Sequence, residues 1–311
     1  MKADGYILVL AGIFLLCLCV SGVSAAGCVP GICNTNTHGN YATIQEAIDA
    51  ASIGDIITVD SGTYRPFIVD RQLTLLGIDT GYGLPVVETL GYSSGNTIEF
   101  TSGAIGVTLD GFTINSITYG SGPTGTGVYI SPGSSSNVLK NISVKDFNEG
   151  IYLDGADHNN ITTCTGSGNR NGIYLVSDSQ FNTIDTCTLT NGAANRNPIG
   201  VGIVGSSNNV VRSSTISDML NGIKIIQDTG IDSAYNLIQN NSLTSNDYNG
   251  NSMALYLDGS SNSINSNSIT ENPIGIVIYS NGVSNTITNN KFNQSNNVNP
   301  NLLAMSGTLE Q

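Results

Sequence analysis

The chain has 311 residues, of which 23 are Asp or Glu and 10 Lys or Arg, for a net charge of −13. That balance excludes nucleic acid and acidic membrane surfaces as partners, and it makes a polyanionic ligand awkward unless a cation offsets the repulsion. Charged residues are only 11%, Trp is absent, and 37 glycines punctuate a chain rich in β-branched residues, Asn, Ser and Thr, a composition of short strands and tight turns.

Ile7–Val20 is an apolar run followed by the small residues Val23-Ser-Ala25, so residues 1–25 are expected to be a signal peptide that leads to secretion or the cell surface. Ser and Gly interrupt the run, and no other stretch of the chain is apolar enough to cross a membrane, so the mature chain is expected to carry no transmembrane segment. Cys28 follows Ala25-Ala-Gly27 and is a lipidation candidate as well as a disulfide candidate. With Cys17 and Cys19 removed, Cys28, Cys33, Cys164 and Cys187 remain, an even count that suggests the bridges Cys28–Cys33 and Cys164–Cys187 in an oxidising compartment, with a stacked pair of buried thiols as the alternative for Cys164 and Cys187.

Residues 26–41 read as a polar lead. Thr43 and Glu46 form a capping-box pattern ahead of Ile44, Ala47, Ile48 and Ala51, whose helical spacing predicts a short amphipathic cap helix. Gly54-Asp55 breaks it, and Ile56–Val59, Phe67–Val69 and Leu73–Leu76 follow as strands. Less regular strands fill residues 80–114, and Ser116–Thr126 is a loop.

From residue 127 one unit recurs. An opener, such as Gly150-Ile-Tyr-Leu153 or Gly172-Ile-Tyr-Leu175, precedes an asparagine at 137, 159, 182, 209, 236, 262 and 285. Seven positions after each asparagine lies Val144, Gly166, Leu189, Ile216, Leu243, Ile269 or Phe292. A shorter asparagine series runs through Asn241, Asn267 and Asn290. Three short strands per repeat predict an all-β, right-handed parallel β-helix over residues 42–295, with a tail at 296–311. Asparagine suits the turn because it tolerates left-handed backbone angles and its amide stacks on the next. Loops interrupt the rungs at Asn191–Pro198, Asp228–Ala234 and Ser245–Met253.

Thr43-Ile-Gln-Glu-Ala-Ile-Asp-Ala-Ala51, Gly54-Asp-Ile-Ile-Thr-Val59, Gly62-Thr-Tyr64 and Leu73-Thr-Leu-Leu-Gly77 resemble the amino-terminal cap and first rung of the pectate-lyase-like superfamily. The later rungs are similar to carbohydrate-binding and sugar-hydrolase β-helix repeats, including the NosD-type proteins of the periplasm. Together these resemblances cover residues 42–294, and they imply fold more than chemistry. The paired Asp-Asp, Gly-His-Gly and Arg-Ile-Lys arrangements of the pectin hydrolases are missing. The copper that NosD-type relatives imply is not carried over, because His38 and His158 are far apart and no Met or Cys joins them in a motif.

Down the stack the outward position of the opener reads Tyr129, Tyr152, Tyr174, Gly202, Lys224, Tyr256, Val277. The tyrosines Tyr129, Tyr152, Tyr174 and Tyr256 are candidate carbohydrate-binding residues, with neighbouring rungs ~4.8 Å apart. Tyrosine also favours strands without any ligand. Asp154, Asp157 and Asp178 lie beside this strip, and an ideal stack puts Asp154 and Asp178 ~8 Å apart, the range of an inverting carboxylate pair. Asp is equally an ordinary turn residue. A lyase would need an acid cluster for Ca²⁺ with a basic partner, and of the basic residues near the middle rungs, Arg170, Arg196, Arg212 and Lys224, none has one. Structural Ca²⁺ at Asp154/Asp157 or Asp228/Asp232 is an open alternative to no cofactor at all. Asn141, Asn160, Asn240 and Asn293 begin glycosylation sequons.

These residues favour an exported, non-catalytic protein that binds or organises polysaccharide or surface glycan. The alternatives are a hydrolase, lyase or epimerase acting at Asp154, Asp157 and Asp178, and a structural spacer of a surface assembly.

Overall fold

The computed structural model describes residues 28–90, 95–117, 124–193, 196–246, 252–293 and 302–304. The expected signal segment lies outside the described residues.

Each repeat folds into three short strands separated by turns, and like strands of successive rungs pair in parallel and in register. The asparagine strands join a first sheet, with Leu109, Leu139, Ile161, Ile184, Val211, Ile238, Ile264 and Ile287 in one row. The second sheet aligns Ile114, Val144, Gly166, Leu189, Ile216, Leu243, Ile269 and Phe292. Gly166, the exception in this row, is covered by Leu189, whose Cδ2 would stand 2.9 Å from an added Cβ. The third sheet holds the openers, with Val128, Ile151, Ile173, Val201, Ile223, Leu255 and Ile276 facing the core. A one-residue slip in any strand would turn these rows to solvent, so burial fixes the register. The result is a right-handed parallel β-helix with a continuous apolar core.

Asparagine amides carry one turn through the stack. The main-chain N–H of Asn137 donates to Asn159 Oδ1, and the pattern repeats through Asn182, Asn209, Asn236 and Asn262 to Asn285 at 2.7–3.0 Å. These side chains are buried, so each amide satisfies backbone groups that a turn would otherwise orphan. The left-handed residue is not the ladder asparagine, as the sequence suggested, but the one before it: His158, Phe181, Asn208 and Tyr235 have φ of 56–60°.

The second asparagine series extends further than the sequence showed. Cys187 N donates to Ser214 Oγ and Ser214 N to Asn241 Oδ1, ahead of Asn267 and Asn290. Cys164 and Cys187 occupy this ladder position and are free, buried thiols, which corrects the expected bridge between them. The Cys164 thiol is directed at Leu139 O (3.5 Å) and the Cys187 thiol at Ile161 O (3.6 Å), the equivalent carbonyl one rung on. In-register stacking therefore keeps the two side chains parallel, whereas a disulfide needs Cβ atoms to converge to ~3.8 Å. Cys28 and Cys33 are bonded as expected.

The amino-terminal end is closed by helix α1 (Ile44–Ala50), with Thr43 as N-cap and Glu46 completing the capping box. Its buried residues Ile44, Ala47 and Ile48 cover the end of the core, where an open solenoid would expose apolar rows. The polar lead is more structured than its composition suggests. Ile32–Asn34 and Gly39–Tyr41 form an antiparallel pair, and Ile32–Asn34 adds antiparallel to Ile56–Asp60. Near the other end, Leu302–Ala304, within the tail expected at 296–311, pairs parallel with Ile276–Ile278. No helix among the described residues is long and apolar enough to cross a membrane.

Candidate functional site

The outer face of the third sheet carries the tyrosines at the predicted positions. Tyr129, Tyr152 and Tyr174 are direct partners in successive strands, with ring centroids 5.8 and 6.1 Å apart and interplanar angles of 18° and 17°. Tyr256 belongs to the same row but is separated from them by Gly202 and Lys224. It stacks instead on Tyr279, at 4.3 Å, and lies under the Lys224 ammonium, 5.1 Å from its centroid. Tyr279 escaped the sequence reading because it lies just past the end of its strand; its signal was only its place one residue after Ile278.

Beside the strip lies a groove of about 410 Å³ lined by Glu149, Tyr152, Arg170, Asn171, Tyr174 and Lys224, among others. Glu149 and Arg170 are its new members. Strict alternation would put Glu149 on the side of Ile151, inside the core. The register runs unbroken, Glu149 level with Asn171 and Ile151 with Ile173, yet Gly150 and Ile151 are both buried while Glu149 is only partly so. A Cβ on Gly150 would lie 2.5 Å from Gly172 O, so only glycine permits this close approach, and Glu149 lines the groove instead.

Glu149 accepts hydrogen bonds from Asn171 Nδ2 (2.8 Å) and Asn148 Nδ2 (2.9 Å). Burial pushes its carboxyl up to about 7, against the opposing pull of the Asn171 hydrogen bond and the Arg170 charge. Burial likewise pushes the Lys224 ammonium down from its ordinary value. Tyr129 and Tyr152 are pushed up to about 12, mainly by burial; the hydrogen bond from Tyr129 to Asp154 and the charge of Asp154 near Tyr152 add to this. The groove thus offers aromatic faces, a carboxyl group that exchanges its proton near neutrality, and two cations.

The three predicted carboxylates are placed differently. Asp154 aligns with Val176 as expected, and its Oδ2 accepts from the Tyr129 hydroxyl at 2.9 Å. Asp157 accepts from the main-chain N–H of Gln180 (2.7 Å), and Asp178, itself left-handed at φ 64°, accepts from Gln180 Nε2 (2.8 Å). All three sit at the turn that ends the opener strand, and none lines the groove.

The second pair proposed for Ca²⁺ is also engaged in turns: Asp232 accepts from Ser260, and Asp228 from Thr229. Among the described residues no three His, Cys, Asp or Glu side chains converge to hold a metal. Among the described residues the His and free Cys donors that copper would use lie apart. His158 is stacked on Phe181 in a mid-chain turn, His38 lies in the amino-terminal hairpin, and the two thiols are closed inside the core against main-chain carbonyls.

The solved structures that resemble the chain are β-helices. An alginate lyase from Paenibacillus sp. str. FPU-7 superposes with a TM-score of 0.66 at 14% identity, covering 86% of this chain and 96% of its own. The A-module of the Azotobacter vinelandii mannuronan C-5 epimerase AlgE6 gives 0.56 at 14% identity, covering 89% and 88%. At such low identity the superpositions show a shared fold alone. Among curated proteins no sequence matches. The family model described as periplasmic copper-binding protein (NosD) matches residues 92–302, and the chain belongs to that family.

Proposed function

We propose that this protein is exported and binds polysaccharide along the outer face of its third sheet, without cleaving it. The observation that carries the reading is the stack of Tyr129, Tyr152 and Tyr174 beside an open groove. Sugar rings pack well against aromatic side chains, and in-register pairing sets these half-buried tyrosines one to a rung, with ring centroids 5.8 and 6.1 Å apart. The apolar run at 7–20, the periplasmic description of the family and the polysaccharide substrates named for the two β-helix neighbours support the same reading.

The test is retention on a panel of neutral and acidic polysaccharides, with and without Ca²⁺, read together with product release. Retention without products, lost in the Tyr152→Ala/Tyr174→Ala double variant, is the expected result. Absence of retention on the whole panel overturns the reading and leaves a structural spacer.

A second reading, a polysaccharide hydrolase, lyase or epimerase, is favoured by one observation: Glu149, held near neutrality, lies in the groove as a group suited to acid–base work. Product release lost in Glu149→Gln and kept in Asp178→Asn would establish it.

A further inference from the structure

The protein carries a net charge of −13, yet among the residues named in the groove lining two are cations, Arg170 and Lys224, against one acid, Glu149. None of the ion pairs among the described residues, Arg71–Asp70, Lys140–Asp110 and Arg212–Asp185, involves either cation. Lys224 is half-buried, held over Tyr256, and Arg170 is exposed, its Nε donating to Arg196 O at 3.3 Å. Two further oxygens of groove-lining side chains, Asn171 Oδ1 and Asn221 Oδ1, are buried with no hydrogen-bond partner among the described residues. They are acceptors that lack a donor.

We infer that the groove selects a sugar bearing an anionic group, carboxylate or sulfate ester, and that binding takes up a proton at Glu149. This inference rests on the polysaccharide reading above and names the ligand chemistry of the same groove. Arg170 and Lys224 face the anionic group, hydroxyls of the sugar supply the donors that Asn171 and Asn221 lack, and the tyrosine strip carries the rings. A carboxylate at Glu149 would repel the anion, so the protonated form binds.

The groups around Glu149 are accounted for. On its own strand stands Tyr152; on the next rung, Arg170, Asn171 and Tyr174; three rungs from Tyr152, Lys224, with Asp258 nearby. The preceding strand places Thr126 opposite Glu149 and Tyr129 opposite Tyr152, with Asp154 bonded to Tyr129. The tyrosines, pushed up by burial, stay neutral through the pH range that matters.

The experiment is calorimetric titration of the protein with an oligogalacturonate, a sulfated galactan oligosaccharide and a neutral galactan oligosaccharide, in buffers of different ionisation enthalpy. If only the protonated form binds, affinity for the anionic probes falls about tenfold between about pH 6 and 8, with roughly half a proton taken up near pH 7. Glu149→Gln flattens that profile and abolishes the proton uptake while keeping the anionic preference. Arg170→Gln/Lys224→Met removes the preference for both anionic probes. A carboxylate source is distinguished from a sulfate source by which probe binds more tightly.

Equal binding of all three probes overturns the inference and leaves polysaccharide binding standing. An unchanged pH profile in Glu149→Gln overturns the proton coupling. Binding of no probe, with retention on the panel also absent, removes both readings.

Discussion

The Tyr174 ring lies over Gly202 in the next rung: the two are direct partners across the third sheet, and a Cβ added to Gly202 would stand 2.1 Å from Cε2 of the ring. The glycine leaves room for the tyrosine to lean along the solenoid axis, as aromatic side chains do over glycine in sheets. It also opens the gap in the row between Tyr174 and Lys224.

Gly202→Ala is therefore expected to push the Tyr174 ring off its seat while leaving the tyrosine in place. Overpacking of this kind costs about 1–3 kcal/mol, measurable by urea denaturation. Glycan affinity should fall toward that of Tyr174→Ala. Unchanged affinity in Gly202→Ala would show that the ring position does not matter for binding.

Glu149 should make stability depend on pH. Its folded carboxyl sits near 7 rather than 4.5, because burial disfavours the charged form. The folded state then binds more protons than the unfolded state between those values, so stability is full below about 4.5 and declines as pH rises through about 7. The loss is on the order of 3 kcal/mol at most. Glu149→Gln should remove this decline, so the variant gains on the parent protein at alkaline pH. Parallel pH profiles of the two proteins in denaturant would refute the assignment.

The amide ladder predicts a large penalty for its middle members. Asn209 accepts from Asn182 N (2.9 Å) and donates to Ser179 O (2.9 Å), both buried. Asn209→Ala orphans a buried main-chain N–H as well as a carbonyl, which costs roughly 2–4 kcal/mol. Because each rung rests only on its neighbours, hydrogen exchange should quicken first in the rungs around Asn182 and Asn236. Asn208→Ala, one residue earlier and left-handed, should cost less, about 1–2 kcal/mol from backbone strain and the part-buried hydrogen bond of its amide to Gln180 Oε1.

Cys164 and Cys187 should remain reduced. The neighbouring Cys187 sulfur and burial both push the Cys164 thiol up, the same contact pulls the Cys187 thiol down, and burial closes both sulfurs off from reagents. Neither residue should react with a thiol-specific chromophore in the folded protein, and both should react after unfolding without reductant. A mass consistent with a second disulfide would contradict the parallel arrangement.

The sequence by itself determined the architecture. Its repeats set which Ile, Leu and Val share a row, where the main asparagine ladder runs, that Tyr129, Tyr152 and Tyr174 are level in successive rungs, and how Thr43 and Glu46 cap α1. These features depend on spacing along the chain, and in-register parallel pairing copies that spacing from rung to rung. Only the tertiary structure decided the site. Gly150 lies too close to the Gly172 carbonyl for any side chain, it and Ile151 are both buried, and Glu149 lines the groove against the two-residue period. Asp154, Asp157 and Asp178, adjacent by count, are instead held by Tyr129 and Gln180 at the turn. Spacing says which residues are level with one another. The direction of a side chain, and the burial that sets its charge, depend on backbone contacts between rungs that no single repeat contains.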